Sequence, residues 1–236
     1  MESGKGTEKD SEGNVSDTKP VRIGISSCLL GEKVRYDGGH RLDRYLRDTL
    51  GQYVDYFPVC PEVECGLGVP REAVHLAGDP QSPRLVTTRT GVDLTDRMKS
   101  WAASRVRELA AEGLSGFIFK SRSPSCGIKS VNLIQKNGQC VTPGVGIFAR
   151  MFMENFPRVP VEDEGTLRDP GVRDDFSEAI FTNREDLKFE ISKGSKIHPP
   201  SPRLRRTRNP RSKNKGALTH SHRRNREYLR NLELPR

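Results

Sequence analysis

Three cysteines, Cys28, Cys60 and Cys126, stand where a short apolar run gives way to a polar or glycine-rich turn: VRIGISSCLLG (21–31), YVDYFPVCPE (53–62) and SGFIFKSRSPSCG (115–127). Runs of this length bounded by such turns read as buried strands. In an open sheet of parallel strands the carboxyl ends share one edge, and that edge is where ligands bind. Three thiols far apart in the chain can therefore meet at one place. A single cysteine after a buried strand ordinarily packs as a small hydrophobe. Three at equivalent strand ends, each among backbone N–H groups able to stabilise thiolate or sulfide charge, point to a shared metal or cluster site.

Spacing does not choose the metal. No CxxC pair occurs, and even Cys28 and Cys60 are 32 positions apart. Structural zinc takes four closed ligands, for which only His40 and His75 are available before the tail. Three thiolates with one place open suit either catalytic zinc or an iron-sulfur cluster with one exposed iron.

The elements that must position these residues follow an α/β order. A strand over 21–27 leads into the loop CLLGEKVRYDGGH, which holds Arg35 and Asp37, and RLDRYLRDTL (41–50) has Leu42, Tyr45, Leu46 and Leu50 on one helical face before Gly51. After the second strand, PEVECGLGVPRE carries Glu62, Glu64, Cys65 and Arg71 between Pro61 and Pro70, which argue for irregular backbone. LVTT (85–88) reads as a short strand, and residues 91–114 as a helix spaced by Met98, Trp101, Ala102, Val106, Leu109 and Ala110, with Asp93 or Thr95 at its start. The third cysteine strand follows at once, giving a strand-helix-strand unit. Asn137-Gly138 signals a hairpin containing Cys140, a structural or surface thiol. Helices over 144–156 and 169–189 flank a short strand at 158–161. The expected fold is an α/β domain with an open, mainly parallel sheet flanked by helices, plus a β-hairpin.

Charge divides the 236-residue chain. Residues 193–236 carry 14 Lys and Arg against Glu227 and Glu233, whereas the preceding 192 carry 26 against 29, so the net +9 splits into −3 and +12. The tail has four prolines in its first half and no apolar period, and residues 1–20 offer nothing to bury; both read as disordered, with a short basic helix conceivable over 222–234. Such a tail is able to contact RNA phosphates, and His198, His220 and His222 within it receive no role. No apolar run is long enough to cross a membrane, and the leader lacks a secretion signal, so a cytoplasmic protein with reduced thiols is expected.

SSCLLGEKVRYDGG, PVCPEVECGLGVPRE, TGVDLT and KSRSPSCG, in this order, resemble the thiouracil desulfurase family over about residues 21–165. The resemblance implies an α/β domain holding a 4Fe-4S cluster through Cys28, Cys60 and Cys126, its fourth iron free to take the sulfur of a thiolated base or nucleoside. It further implies proton-transfer roles for Glu62 and Ser123. Family members commonly have a small residue where this chain has Cys65, which makes Cys65 the alternative to Cys60 as ligand. Arg35, Asp37, Arg71, Lys120 and Ser121 are candidates for shaping the substrate pocket, although charged loop residues often pair only with one another. Residues 159–181 resemble the junction into a second domain found in longer relatives, so 166–192 is expected as a helical extension and 193–236 as the remnant of a truncated domain. The activity expected is non-redox hydrolysis of a C–S bond; the rivals are a zinc-stabilised binding module and a redox-sensing cluster protein.

Overall fold

The computed structural model describes residues 21–192 apart from Lys136. The leader, the basic tail, its RNA contact and the helix expected over 222–234 lie outside the described residues. Four strands form a fully parallel sheet in the order β2-β1-β5-β8, built from β1 (Val21–Ser26), β2 (Val54–Val59), β5 (Gly116–Phe119) and β8 (Val161–Asp163). Pairing sets Ser26 beside Val59, Ile25 beside Ile118 and Phe119 beside Asp163, so all four carboxyl ends lie level along one edge.

Alternation along these strands fills both faces. Val21, Ile23, Ile25 and Ile118 pack with Leu46, Leu50, Phe176 and Ile180 on one side. On the other, Val59, Phe117 and Phe119 meet Ala102, Val106 and Leu109 of α2 (Thr95–Ala111) and Phe148 and Phe152 of α3 (Ile147–Asn155). Gly24 is what admits Phe117: a Cβ there would stand 2.2 Å from the ring. Phe176 and Ile180 belong to α4 (Pro170–Ser192), so the helical extension covers one face of the sheet rather than standing apart from it.

A second four-stranded sheet, β4-β3-β6-β7, was not legible in the sequence beyond one strand and the hairpin. It joins β3 (Val74–Asp79), β4 (Ser82–Thr87), β6 (Val131–Ile134) and β7 (Cys140–Gly144). Leu76, Leu85 and Leu133 on its inner face pack against Met98 and Ile147. Two other local expectations change. The helix expected over 41–50 is a wide π turn, Tyr45–Thr49, running into a 3-10 turn, with Leu46 and Leu50 still buried. Pro61 does not forbid a helix but starts one, α1 (Pro61–Glu64), since proline at the first helical position gives up an N–H that has no partner there.

Candidate functional site

Cys28 follows β1 in a 3-10 turn (Ser27–Leu30), Cys60 caps α1 directly after β2, and Cys126 lies in the turn after β5. Level strand ends bring all three to one cavity of about 780 Å³, a volume typical of small-ligand sites. Glu62, Ser123, Arg35, Arg71, Lys120 and Ser121 line the same cavity. Asp37 does not: it is exposed, its carboxylate accepts the Gly39 N–H at 3.0 Å, and it stands 3.7 Å from Arg35 Nε. Cys65 is buried outside the cavity, its Sγ directed at the Glu62 carbonyl 3.3 Å away. Cys140 is exposed on β7.

The Cys126 turn is held from behind. Ser123 Oγ accepts the N–H groups of Ser125 and Cys126 at 3.2 and 3.1 Å, which leaves its own O–H free to donate elsewhere. The first amides of α3 have no side-chain cap; Ile147 donates to the Pro124 carbonyl, and Phe148 and Ala149 to that of Ser125. Backbones approach so closely that a Cβ at Gly146 would lie 2.5 Å from Ser125 carbon. On the β2 side, Glu64 reaches back to accept the Cys60 N–H at 2.8 Å, with Arg105 of α2 3.1 Å from its other oxygen.

Electrostatics separate the thiols from the charged groups. Burial, reinforced by Cys60, pushes the Cys28 thiol up to about 11, while Lys120 and Arg35 pull the other way. Burial also raises Cys60, and raises Cys126 well above the ordinary thiol range against a hydrogen bond with Ser26. Glu62 is clamped: Arg71 Nε and Nη2 donate to Oε2 at 3.0 and 2.6 Å, and Ser125 Oγ donates to Oε1 at 3.0 Å. Opposite, Glu164 accepts from Lys120 Nζ and, at 2.7 Å each, from the Ser121 N–H and hydroxyl. Its burial would raise its carboxyl, but these donors prevail and hold it below the usual carboxylate value.

Sequence reasoning missed Glu164, Ser26 and Ser125, and it missed the basic rim of Arg41, Arg122, Lys129 and Arg168. Lys129 stands within 4.0 Å of Glu162 and Asp163, and Arg41 donates to the His40 carbonyl. Arg122 and Arg168 have no hydrogen-bond or ion-pair partner among the described residues. Arg122 takes φ +57°, a conformation uncommon outside glycine. Among the described residues, no three His, Cys, Asp or Glu side chains are grouped to hold a single metal ion.

The sequence profile of the 2-thiouracil desulfurase family matches residues 23–164. The chain belongs to that family. Its matched segment contains all three cavity cysteines, Glu62, Ser123 and Glu164, and it ends before Arg168 and α4. A relative from Bacillus subtilis (strain 168), the uncharacterized protein YbbK, is 29% identical over 145 residues, which is 59% of this chain and 95% of its own. A solved structure titled 4Fe-4S-dependent thiouracil desulfidase TudS shares 30% identity with a TM-score of 0.52, covering 64% of this chain and 94% of the other. The parallel sheet flanked by helices is thus the family's α/β fold. No described helix is long and apolar enough to cross a membrane.

Proposed function

We propose that this chain is an iron-sulfur-dependent desulfurase that hydrolyses the C–S bond of a thiolated pyrimidine. The observation that carries the reading is the meeting of Cys28, Cys60 and Cys126 on one cavity that also holds Glu62 and Ser123. The donor set fits a 4Fe-4S cluster. Three thiols face one space, and the next buried thiol, Cys65, is engaged elsewhere. Cys28, Cys60 and Cys126 would hold it. When bound, such a cluster supplies one iron without a protein ligand, a Lewis acid for the substrate sulfur.

The chain's own residues handle protons and orientation. Glu62, held by Arg71 and Ser125, presents its remaining lone pairs to the cavity and removes a proton from water as oxygen bonds to carbon. Ser123, with its oxygen occupied by two amides, offers its O–H to the pyrimidine. Sulfur leaves as hydrogen sulfide and the C–S bond becomes a C–O bond, so neither oxidant nor reductant is consumed. Lys120 and Ser121, fixed by Glu164, form the opposite wall, and Arg35, whose buried Nε–H stands 3.7 Å from Asp37 and has no hydrogen-bond partner among the described residues, lines the Cys28 side. The cavity exceeds what a pyrimidine ring fills, and Arg122 and Arg168 in its lining, unpaired among the described residues, favour a substrate that carries a phosphate, a thiolated nucleotide, over the free base.

Anaerobic purification tests the reading. A brown protein with about four irons and four sulfides per chain, releasing sulfide from thiolated uracil or its nucleotide, is expected. Glu62→Ala should keep the iron and lose turnover by about 10²-fold or more. A colourless protein that loads only zinc, or a loaded protein that turns over no thiolated pyrimidine, defeats it.

A further inference from the structure

Ser125 lies outside the cavity and is completely buried, yet its hydroxyl donates to Glu62 Oε1 at 3.0 Å across 63 positions of sequence. Its remaining polar atoms are committed as well: its N–H to Ser123 Oγ, and its carbonyl to Phe148 and Ala149 of α3. The other carboxylate oxygen of Glu62 belongs to Arg71, whose Nη1 and Nη2 also donate to the Gly68 and Val34 carbonyls at 3.1 and 3.0 Å. Four of the five N–H groups of Arg71 are therefore spent inside the protein, and a single Nη1–H remains.

From this arrangement we infer that Ser125 is a positioning residue for Glu62. With Arg71 opposite, it fixes the rotation of the carboxylate and ties it to the turn that carries Ser123 and Cys126. The inference rests on the reading of Glu62 as the proton-transferring group. A glutamate's terminal torsion is broad and only two-fold, so a carboxylate held at one oxygen still swings about that hold. Two donors from different walls leave one orientation. The turn that presents Ser123 is the same turn that presents Ser125, so the proton donor and the proton acceptor keep a constant separation while substrates enter and leave. Such registration matters because misplacement by about 1 Å costs about 10²-fold in rate.

The test is a double-mutant cycle on cluster-loaded full-length protein, using single-turnover sulfide release from 2-thiouracil alongside iron content and thermal midpoint. Ser125→Ala is expected to lower the rate about 10- to 100-fold, with KM within about twofold and iron and midpoint as in the wild type. On a Glu62→Ala background the same change should cost nothing further, since the group it orients is gone. Arg71→Lys, which keeps the charge and loses the fork, should reproduce the rate-only loss. A wild-type rate in Ser125→Ala overturns the inference. So do losses that multiply on the Glu62→Ala background, or a fall in iron content or midpoint, each of which makes Ser125 a scaffold residue. Failure of the loaded wild type to release sulfide from any thiolated pyrimidine would instead strike the desulfurase reading, and the inference that rests on it would fall with it.

Discussion

Glu164→Ala isolates the buried ion pair that closes the carboxyl edge of the parallel sheet. Glu164 is 11% exposed and Lys120 16%, and the carboxylate also receives the N–H and hydroxyl of Ser121. Truncation leaves the Lys120 ammonium with the Ser121 carbonyl and hydroxyl as its remaining acceptors, at 3.1 and 3.0 Å. Removing one partner of a buried pair costs about 3–5 kcal/mol, and the surviving acceptors set the expectation at the lower end, about 3 kcal/mol. With a urea slope of about 2 kcal/mol per molar, the midpoint should fall by about 1.5 M, measured by far-ultraviolet circular dichroism. The sign with pH follows from the lowered carboxyl of Glu164. Its contribution is complete above the unfolded value, about 4.3, and vanishes as pH falls through the lower folded value. The difference between wild type and variant should therefore be flat from neutrality to about pH 5 and shrink below about pH 4. Adding Lys120→Met to Glu164→Ala should recover part of the loss, because an apolar pair avoids the stranded charge. A cost under about 1 kcal/mol, the worth of an exposed pair, would refute the argument that burial makes this contact matter.

Three further outcomes follow from the site. Arg168→Ala should raise KM for a thiolated uridine monophosphate about tenfold, the loss of one charge-assisted contact, while KM for the free base stays put; steady-state kinetics on the two substrates decides. In chelator-stripped protein, the exposed Cys140 should be alkylated first, as mapped by mass spectrometry. Cys28, with its thiol near 11, is ionised to only about one part in a thousand at pH 8 and should gain about tenfold in rate per pH unit above that. Gly146→Ala places a methyl 2.5 Å from Ser125 carbon, so the Cys126 turn must move; iron content should fall and stability drop by about 1–3 kcal/mol, both read on the same preparation.

The convergence of Cys28, Cys60 and Cys126 was legible because each ends an apolar run, and parallel pairing turns equivalent strand ends into neighbours. Helix α2 was legible from the spacing of Met98, Ala102, Val106 and Leu109, all buried as that spacing requires. Other features had no local signal. VHLAGD, the strand β3, breaks its alternation at Gly78, and its pairing with β6 joins segments more than fifty positions apart. RLDRYLRDTL satisfies a helical period, yet the backbone takes a wider turn that still buries Leu46 and Leu50 with the residues of the first strand. Glu164 follows Glu162 and Asp163, and nothing in three consecutive acids tells which one faces Lys120. Arg71 was a candidate for shaping the pocket and does line it, but its hydrogen bonds to Glu62 and two carbonyls had no local signal, since only the folded chain brings those partners within reach. Ser125 was invisible for the same reason: a serine in a serine-rich turn declares its partner only through a contact 63 residues away.

The raised thiols give the site a consistent electrostatic logic. Three thiolates sharing one cavity would repel; burial is the main cause of the upward shifts of Cys28 and Cys126, and the neighbouring Cys60 adds to both. With no metal they are neutral, so folding the domain does not require burying three negative charges. On the proposed reading, deprotonation would be deferred until a soft cation shared the charge, and binding would then release protons and return free energy to the fold. The ion pairs of the wall, Lys120 with Glu164 and Arg71 with Glu62, are formed within the protein itself. On that reading the charged walls would stay in place on loading, and the cysteines would be the part of the wall whose protonation changes.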